Sequence, residues 1–219
     1  MNIVVFGATG STGRQVVDQA LLAGHDVTAV VRRPGQVAPR PRLVVRAGDV
    51  LDAASLRESC SGADAVVSCI GPRSQFGGQL GAGLRPGTVM SVGTAHMVAA
   101  AEAAGVRRFV FQSGIGLSDG AELSRVDRWV LRALWRPLFA AAIRDKAEGE
   151  RVLRASALEW VIVRPAPLRD APAAGRYLAG PRARVALLGS ISFADCAACL
   201  LRALGEPAWT REIVNLGRS

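Results

Sequence analysis

Apolar residues in this chain gather into short unbroken runs, separated by stretches with helical spacing. Runs rich in Val, Ile and Phe at 3–6, 26–31, 42–47, 64–70, 107–113, 159–165 and 212–216 predict strands. Helical spacing at 12–23, 53–60, 87–104, 144–156 and 193–204 sets helices between most of them. Runs that do not alternate with polar residues mean strands buried on both faces. Strand, helix, strand repetition then calls for a parallel sheet with right-handed crossovers and helices on both sides. The predicted fold is therefore α/β, a doubly wound parallel sheet forming a single domain over 1–219. Two segments break the rhythm: a glycine-rich arm at 71–87 and a lid or insert at 114–142. A small substrate-side region at 165–192 completes the plan with C-terminal lid elements.

The first strand runs directly into "GATGSTG", which places Gly7, Gly10 and Gly13 between a strand and a helix. A dinucleotide-binding loop needs that context. Gly7 is expected to make the tight turn, Gly10 to leave room for a pyrophosphate, and Gly13 to let helix and strand pack closely. Phosphates then sit on the helix N-terminus, where unpaired N–H groups and the dipole favour anions. Thr9, Ser11 and Thr12 lie in the same loop, and Ser11 and Thr12 offer hydroxyl hydrogen bonds. The spacing is G-x-x-G-x-x-G, one residue longer than G-x-G-x-x-G. An ordinary strand-to-helix turn is the competing reading.

The second strand ends "VVRRPG", with Arg32 and Arg33 where an NAD site usually places a carboxylate for the ribose 2′-hydroxyl. A guanidinium holds a 2′-phosphate bidentately and a carboxylate repels it, so the cofactor expected is NADP(H). Asp49, followed by Val50 at the end of the third strand, either meets the adenine amino group or caps a turn. Both residues join the candidate cofactor-binding set.

Charge adds little. The balance is +9, but Lys146 is the only lysine, and the remaining basic residues are arginines scattered along the chain. Without a basic stripe interleaved with stacking aromatics, no nucleic-acid partner is expected. Four cysteines, Cys60, Cys69, Cys196 and Cys199, read as free core thiols. The C-x-x-C pair at 196 and 199 lies in an apolar helix with no second ligand pair, so no metal is expected. "MNIVVFG" carries no signal-peptide pattern, and no apolar run reaches the ~20 residues of a membrane span. The localisation expected is cytoplasmic. His25 reads as a turn residue and His96 as a helix-surface or core histidine. Between 123 and 142, Trp129, Leu134, Trp135, Leu138 and Phe139 alternate with arginines. That pattern fits packing on its own domain, a lid, or contact with a partner or membrane surface.

Taken together, "GATGSTG", "GDVLD", "SCIGPR", "FVFQSGIG", "DKAEGERVLRASALEWVIVRPAPL" and "ISFADCAACLLRAL" resemble the atypical short-chain dehydrogenase/reductases. The nearest groups are the NAD(P)H-binding NmrA-like proteins and the biliverdin/flavin reductase type. The resemblance implies a Rossmann-like domain with NADP(H) across the carboxyl edge of the sheet. It implies that Ile70, Gly71 and Pro72 line the adenine-ribose side, that Ser113 sits near the nicotinamide, and that the backbone after Pro165 meets the carboxamide.

One departure from that pattern bears on mechanism. Typical members carry Tyr-x-x-x-Lys on one helix face; here the lysine is Lys146 and Ala142 stands four residues earlier. The only tyrosine, Tyr177, lies far downstream. The two candidate catalytic residues are Ser113, to orient a substrate oxygen, and Lys146, to hold ribose hydroxyls. Against these stand a strand-end serine and a solvated helix lysine. A flavin, quinone or similar flat small-molecule acceptor takes hydride without a protein acid, since the proton can come from solvent. The leading expectation is an NADP(H)-dependent reductase for such acceptors. A non-catalytic cofactor sensor of NmrA-like type fits the missing tyrosine equally well, and a sugar-nucleotide epimerase fits it least.

Overall fold

In the computed structural model, which describes residues 1–71, 88–118, 123–186 and 189–218, the valine-rich runs form the strands of one large sheet. In chain order come β1 (Asn2–Phe6), α1 (Ser11–Leu22), β2 (Asp26–Val31), β3 (Leu43–Ala47) and β4 (Ala65–Ser68). They are followed by α2 (Ser91–Ala103), β5 (Arg108–Gln112) and α3 (Arg125–Val130). A π-helical turn (Leu131–Trp135) and the short α4 (Arg136–Leu138) lead from α3 into α5 (Ala140–Ala155). The rest is β6 (Glu159–Pro165), β7 (Leu168–Arg169), β8 (Tyr177–Gly180), β9 (Ile191–Ser192), α6 (Phe193–Arg202) and β10 (Glu212–Arg218).

The sheet order is β3-β2-β1-β4-β5-β6-β10-β8, parallel throughout except for β8, which runs antiparallel to β10. Chain progression reverses between β1 and β4, and that switch point opens a crevice at the carboxyl ends of the strands. This is the Rossmann-like fold, as the run pattern predicts. Alternate residues of each strand feed two cores. Ile3, Val5, Val161 and Val163 pack with α1 and α6, while Val4, Phe6, Trp160 and Ile162 pack with α2 and the Leu153 end of α5.

Four elements differ locally from the sequence expectation, the first two through side-chain bonds to the backbone. The helix expected at 53–60 is only a 3₁₀ turn, Ala53–Leu56. Asp52 there accepts from the Ala54 N–H, and the Ser55 hydroxyl donates to the Asp49 and Asp52 carbonyls. Such side-chain bonds compete with helical ones. The helix expected from 87 starts at Ser91 instead, because the Asp145 carboxylate accepts from the Met90 and Ser91 N–H groups. The helix expected from 144 begins four residues earlier, at Ala140. The fourth strand stops at Ser68, short of 70.

The substrate-side region is tied down by Asp195, whose carboxylate accepts from the N–H groups of Ala174 and Gly175 and from the Ser192 hydroxyl. Burial pushes this carboxyl up, but these three bonds more than offset it and leave it below its usual range. Tyr177, on β8, packs half-buried against the α1–α6 core. All four cysteines are free, and burial pushes the Cys69 and Cys199 thiols up to about 12. Among the described residues no group of three or more His, Cys, Asp or Glu could hold a metal. Among them, too, no helix is long and apolar enough to cross a membrane.

Candidate functional site

The glycine loop leaves β1 at the switch point. Gly7 has φ +79°, a left-handed conformation that L side chains rarely adopt, and its carbonyl accepts from the Gly10 N–H at 2.9 Å. A Cβ on Gly7 would lie 2.8 Å from the Cys69 carbonyl oxygen, so the loops following β1 and β4 touch here. A Cβ on Gly13 would lie 2.1 Å from the Gly7 oxygen, so the start of α1 presses on the turn itself. Neither position admits a side chain.

Gly10 differs from both. Its backbone is extended (φ −76°, ψ 165°), and a Cβ there would meet only the Gly7 oxygen, at 3.3 Å. Gly10 is the N-cap of α1, and no side chain caps that helix. The first N–H groups of α1 therefore face an open, glycine-lined cradle beside exposed Ser11 and half-buried Thr9, with Thr12 buried behind. The donors and the space fit the diphosphate of a dinucleotide.

Arg32 and Arg33 are exposed just past β2, and among the described residues neither forms an ion pair. The neighbouring turn is joined to that strand by the Gly48 N–H, which donates to the Val31 carbonyl at 3.0 Å. Asp49 follows. Its Oδ1 accepts from the Leu51 N–H at 3.0 Å, so the turn-capping role is realised at that oxygen. Val50 is buried against Gly93, and its carbonyl meets His96 Nδ1 at 2.9 Å, which makes His96 a satisfied packing histidine. Ile70 is half-buried and Gly71 exposed beside the glycine loop, whereas Pro72 and the arm at 72–87 lie outside the described residues.

The other end of the crevice holds Ser113 and Lys146. Ser113 follows β5, is 3% exposed, and donates its hydroxyl proton to Glu150 Oε1 at 2.5 Å. Glu150 is clamped in turn by Arg164 of β6, with Nε to Oε1 at 3.0 Å and Nη2 to Oε2 at 2.6 Å. Lys146, one turn earlier on α5, is half-buried and donates to the Ser113 carbonyl at 3.3 Å. Lys146 is therefore not fully solvated, and both residues belong to one polar cluster at the carboxyl edge. Held this way, Ser113 presents lone pairs, not a proton, to a ligand. The backbone after Pro165 is less open than the resemblance implies. The Ala166 N–H donates to the Leu216 carbonyl at 2.7 Å and Pro167 has none, so neither residue has an N–H free for a carboxamide.

The profile of the NAD(P)H-binding family matches residues 7–207, from the first loop glycine to beyond α6. The chain belongs to that family. A 3-diazoavenalumate denitrifying reductase of Streptomyces sp. is 32% identical over 200 residues, covering 82% of this chain. The chain spans 63% of that relative's length. Among solved structures, an anaerobilin reductase from Escherichia coli superposes with a TM-score of 0.80 at 23% identity, covering 100% of this chain and 97% of the other. A short-chain dehydrogenase/reductase from Veillonella parvula in complex with NADP superposes with a TM-score of 0.76 at 19% identity, covering 99% and 94%. These two likenesses establish the fold.

Within this NAD(P)H-binding chain, Glu150, Arg164 and Asp145 escape the reading from sequence. A glutamate four residues after a lysine looks like a solvated helix pair. The visible signal was Arg164, a charge inside the apolar run "WVIVRP". In the segment from 123 to 142, Leu131 and Phe139 turn inward, but Val126, Trp129, Leu134 and Leu138 remain exposed. Packing on the domain thus accounts for part of that pattern only; the Trp135 and Arg136 side chains and residues 119–122 lie outside the described residues.

Burial lowers Lys146 below its ordinary value, with the Glu150 and Asp145 carboxylates opposing the shift. The native state therefore sheds this proton at lower pH than the unfolded chain does. Between the two values, stability rises with pH. If the ammonium holds ribose hydroxyls, affinity for NADPH falls as pH rises through the lowered value of the cofactor-free native protein. Titrations from pH 7 to 10 should show the fall in the native protein and a flat profile in Lys146→Met. At pH 7 the variant should bind about 1.5–3 kcal/mol more weakly, the loss of one charged hydrogen bond. A variant with native affinity and no turnover would move Lys146 from the cofactor to the substrate.

Proposed function

We propose that this chain is an NADP(H)-dependent reductase that delivers hydride to a flat conjugated acceptor, a flavin, quinone or similar molecule, with no protein acid. The observation that carries this reading is the Ser113–Glu150–Arg164 chain facing Lys146 beside Ala142. The serine proton is committed to the carboxylate, and no tyrosine stands one turn before the lysine. Acceptors that delocalise the incoming electrons need no such donor, because solvent protonates them after transfer.

In this reading, bound NADPH supplies the hydride. The N-terminal N–H groups of α1 hold its diphosphate, Lys146 donates to the nicotinamide ribose, and the Ser113 lone pairs orient the ring edge. Arg32 and Arg33 take the 2′-phosphate, and Asp49 keeps Oδ2 for the adenine amino group. The names of two similar proteins, both reductases, support the reaction class, and the Veillonella neighbour's NADP supports the cofactor.

Steady-state oxidation of NADPH against a panel of flavins and quinones, run beside a binding titration, tests the proposal. Turnover with at least one acceptor, without a titration assignable to a site acid between pH 6 and 8, is the expected result. Tight NADPH binding with no turnover would favour the sensor reading, which the committed serine and Ala142 also suit. Cofactor preference is tested separately. An ion pair at ~4 Å is worth about 4 kcal/mol at an effective dielectric near 20, and even a quarter of that for each arginine gives roughly thirty-fold discrimination for two. Arg32→Ala with Arg33→Ala should remove that margin and leave NADH affinity unchanged. Equal native dissociation constants for NADPH and NADH would sink the assignment.

A further inference from the structure

A second concavity, of about 490 Å³, lies away from the glycine loop, between the start of α3 and the segment that precedes β9. Its lining includes three guanidinium side chains, Arg125, Arg128 and Arg184, against one carboxylate, Asp127. That carboxylate already accepts from the Ser124 hydroxyl at 2.9 Å. The arginines are far less occupied. Among the described residues Arg125 and Arg184 form no ion pair, and Arg128 has only a 3.4 Å contact from Nη2 to the Leu123 carbonyl. Arg128 Nε is buried with no hydrogen-bond partner. A buried guanidinium N–H left unpaired is costly and calls for an acceptor.

The position of the cleft relates it to the hydride-transfer edge. Two of its lining residues, Leu123 and Val185, form one apolar cluster with Ile115 and Leu131. Ile115 lies two residues beyond Ser113. Val185 sits on the carboxyl end of β10, so close that a Cβ on Gly217 would lie 2.7 Å from its Cγ1. The cleft therefore shares its apolar floor with the edge that carries Ser113, on the side of the sheet away from Arg32 and Arg33. We infer that it binds an anionic arm, a carboxylate or phosphate, of the acceptor whose flat ring is reduced beside Ser113. The three guanidiniums supply forked donors suited to such groups, and the apolar floor suits the ring to which the arm is attached.

This inference rests on the reductase reading, and binding separates the two. The full chain, saturated with NADP⁺ to block the dinucleotide site, is titrated with two matched pairs. FMN against riboflavin tests phosphate, and anthraquinone-2-carboxylate against anthraquinone-2-carboxamide tests carboxylate. At least one anionic member should bind ten-fold or more tightly than its neutral partner. In Arg125→Ala with Arg184→Ala, both exposed positions, that ratio should fall below three-fold while the neutral partner binds as before. Arg128→Gln, which keeps the side chain's bulk, should lower the ratio as well. No charge preference in either pair, including failure of all four to bind, overturns the inference. So does a ratio that survives the double substitution, or a comparable loss of NADPH affinity in it, which would give these arginines to the cofactor. Charge-selective binding without any oxidation of NADPH would overturn the reductase reading and leave the anion site standing.

Discussion

Gly10→Val should raise the dissociation constant for NADPH by at least a hundred-fold and leave a folded protein. Extended backbone at Gly10 is open to valine, so no conformational strain is expected. The isopropyl group would instead occupy the cradle in front of the uncapped N–H groups of α1. Excluding a diphosphate from those donors removes several charge-assisted hydrogen bonds at once, each worth about 1.5–3 kcal/mol. Gly13→Val provides the contrast, because its Cβ would collide with the Gly7 carbonyl and unfold the turn. Circular dichroism, thermal melting and an NADPH titration on both variants decide the matter. Native affinity in a folded Gly10→Val protein would reduce the loop to a simple turn.

The second large effect is on stability. Glu150→Ala leaves the Arg164 guanidinium, 13% exposed, without its carboxylate, and frees the Ser113 hydroxyl. Breaking a buried pair from one side costs about 3–5 kcal/mol, mostly as the penalty of the orphaned charge. For a chain of this size that corresponds to a melting temperature lower by roughly 10 °C. Replacing both partners, as Glu150→Leu with Arg164→Met, should recover most of the loss, since two apolar side chains avoid the unpaired charge. Urea unfolding of the three proteins measures this directly. A loss below about 1 kcal/mol in Glu150→Ala would mean that water reaches the pair and screens it.

The sequence displayed some of this architecture and concealed the rest for definable reasons. Runs such as "IVVF" and "WVIVRP" are legible because a strand buried on both faces has no polar positions to alternate. The turn at 53–56 is not, because Asp52 and Ser55 satisfy backbone groups locally in a segment whose spacing still looks helical. Strands β7 and β9 are two residues each, too short to leave a pattern. In the site, the roles of Gly7 and Gly13 follow from motif spacing, yet Gly10's extended backbone does not. Glu150 was hidden for a different reason. Its partners arrive from β5 and β6, which only the strand register brings beside α5.

The place of β10 has a consequence for how the protein is made. It is synthesised after β8 yet lies between β8 and β6, so β8 has no neighbour in the sheet until β10 has been added. Between Gly180 and Arg218 lie roughly forty residues, or about two to eight seconds of translation at ~5–20 residues per second. During that interval the strands through β6 can already pair, while the Tyr177–Gly180 segment still exposes unpaired backbone. Helix α6 is made in the same interval and supplies the core that packs on α1, so the helix carrying the glycine loop is also covered only after Arg202 has been added.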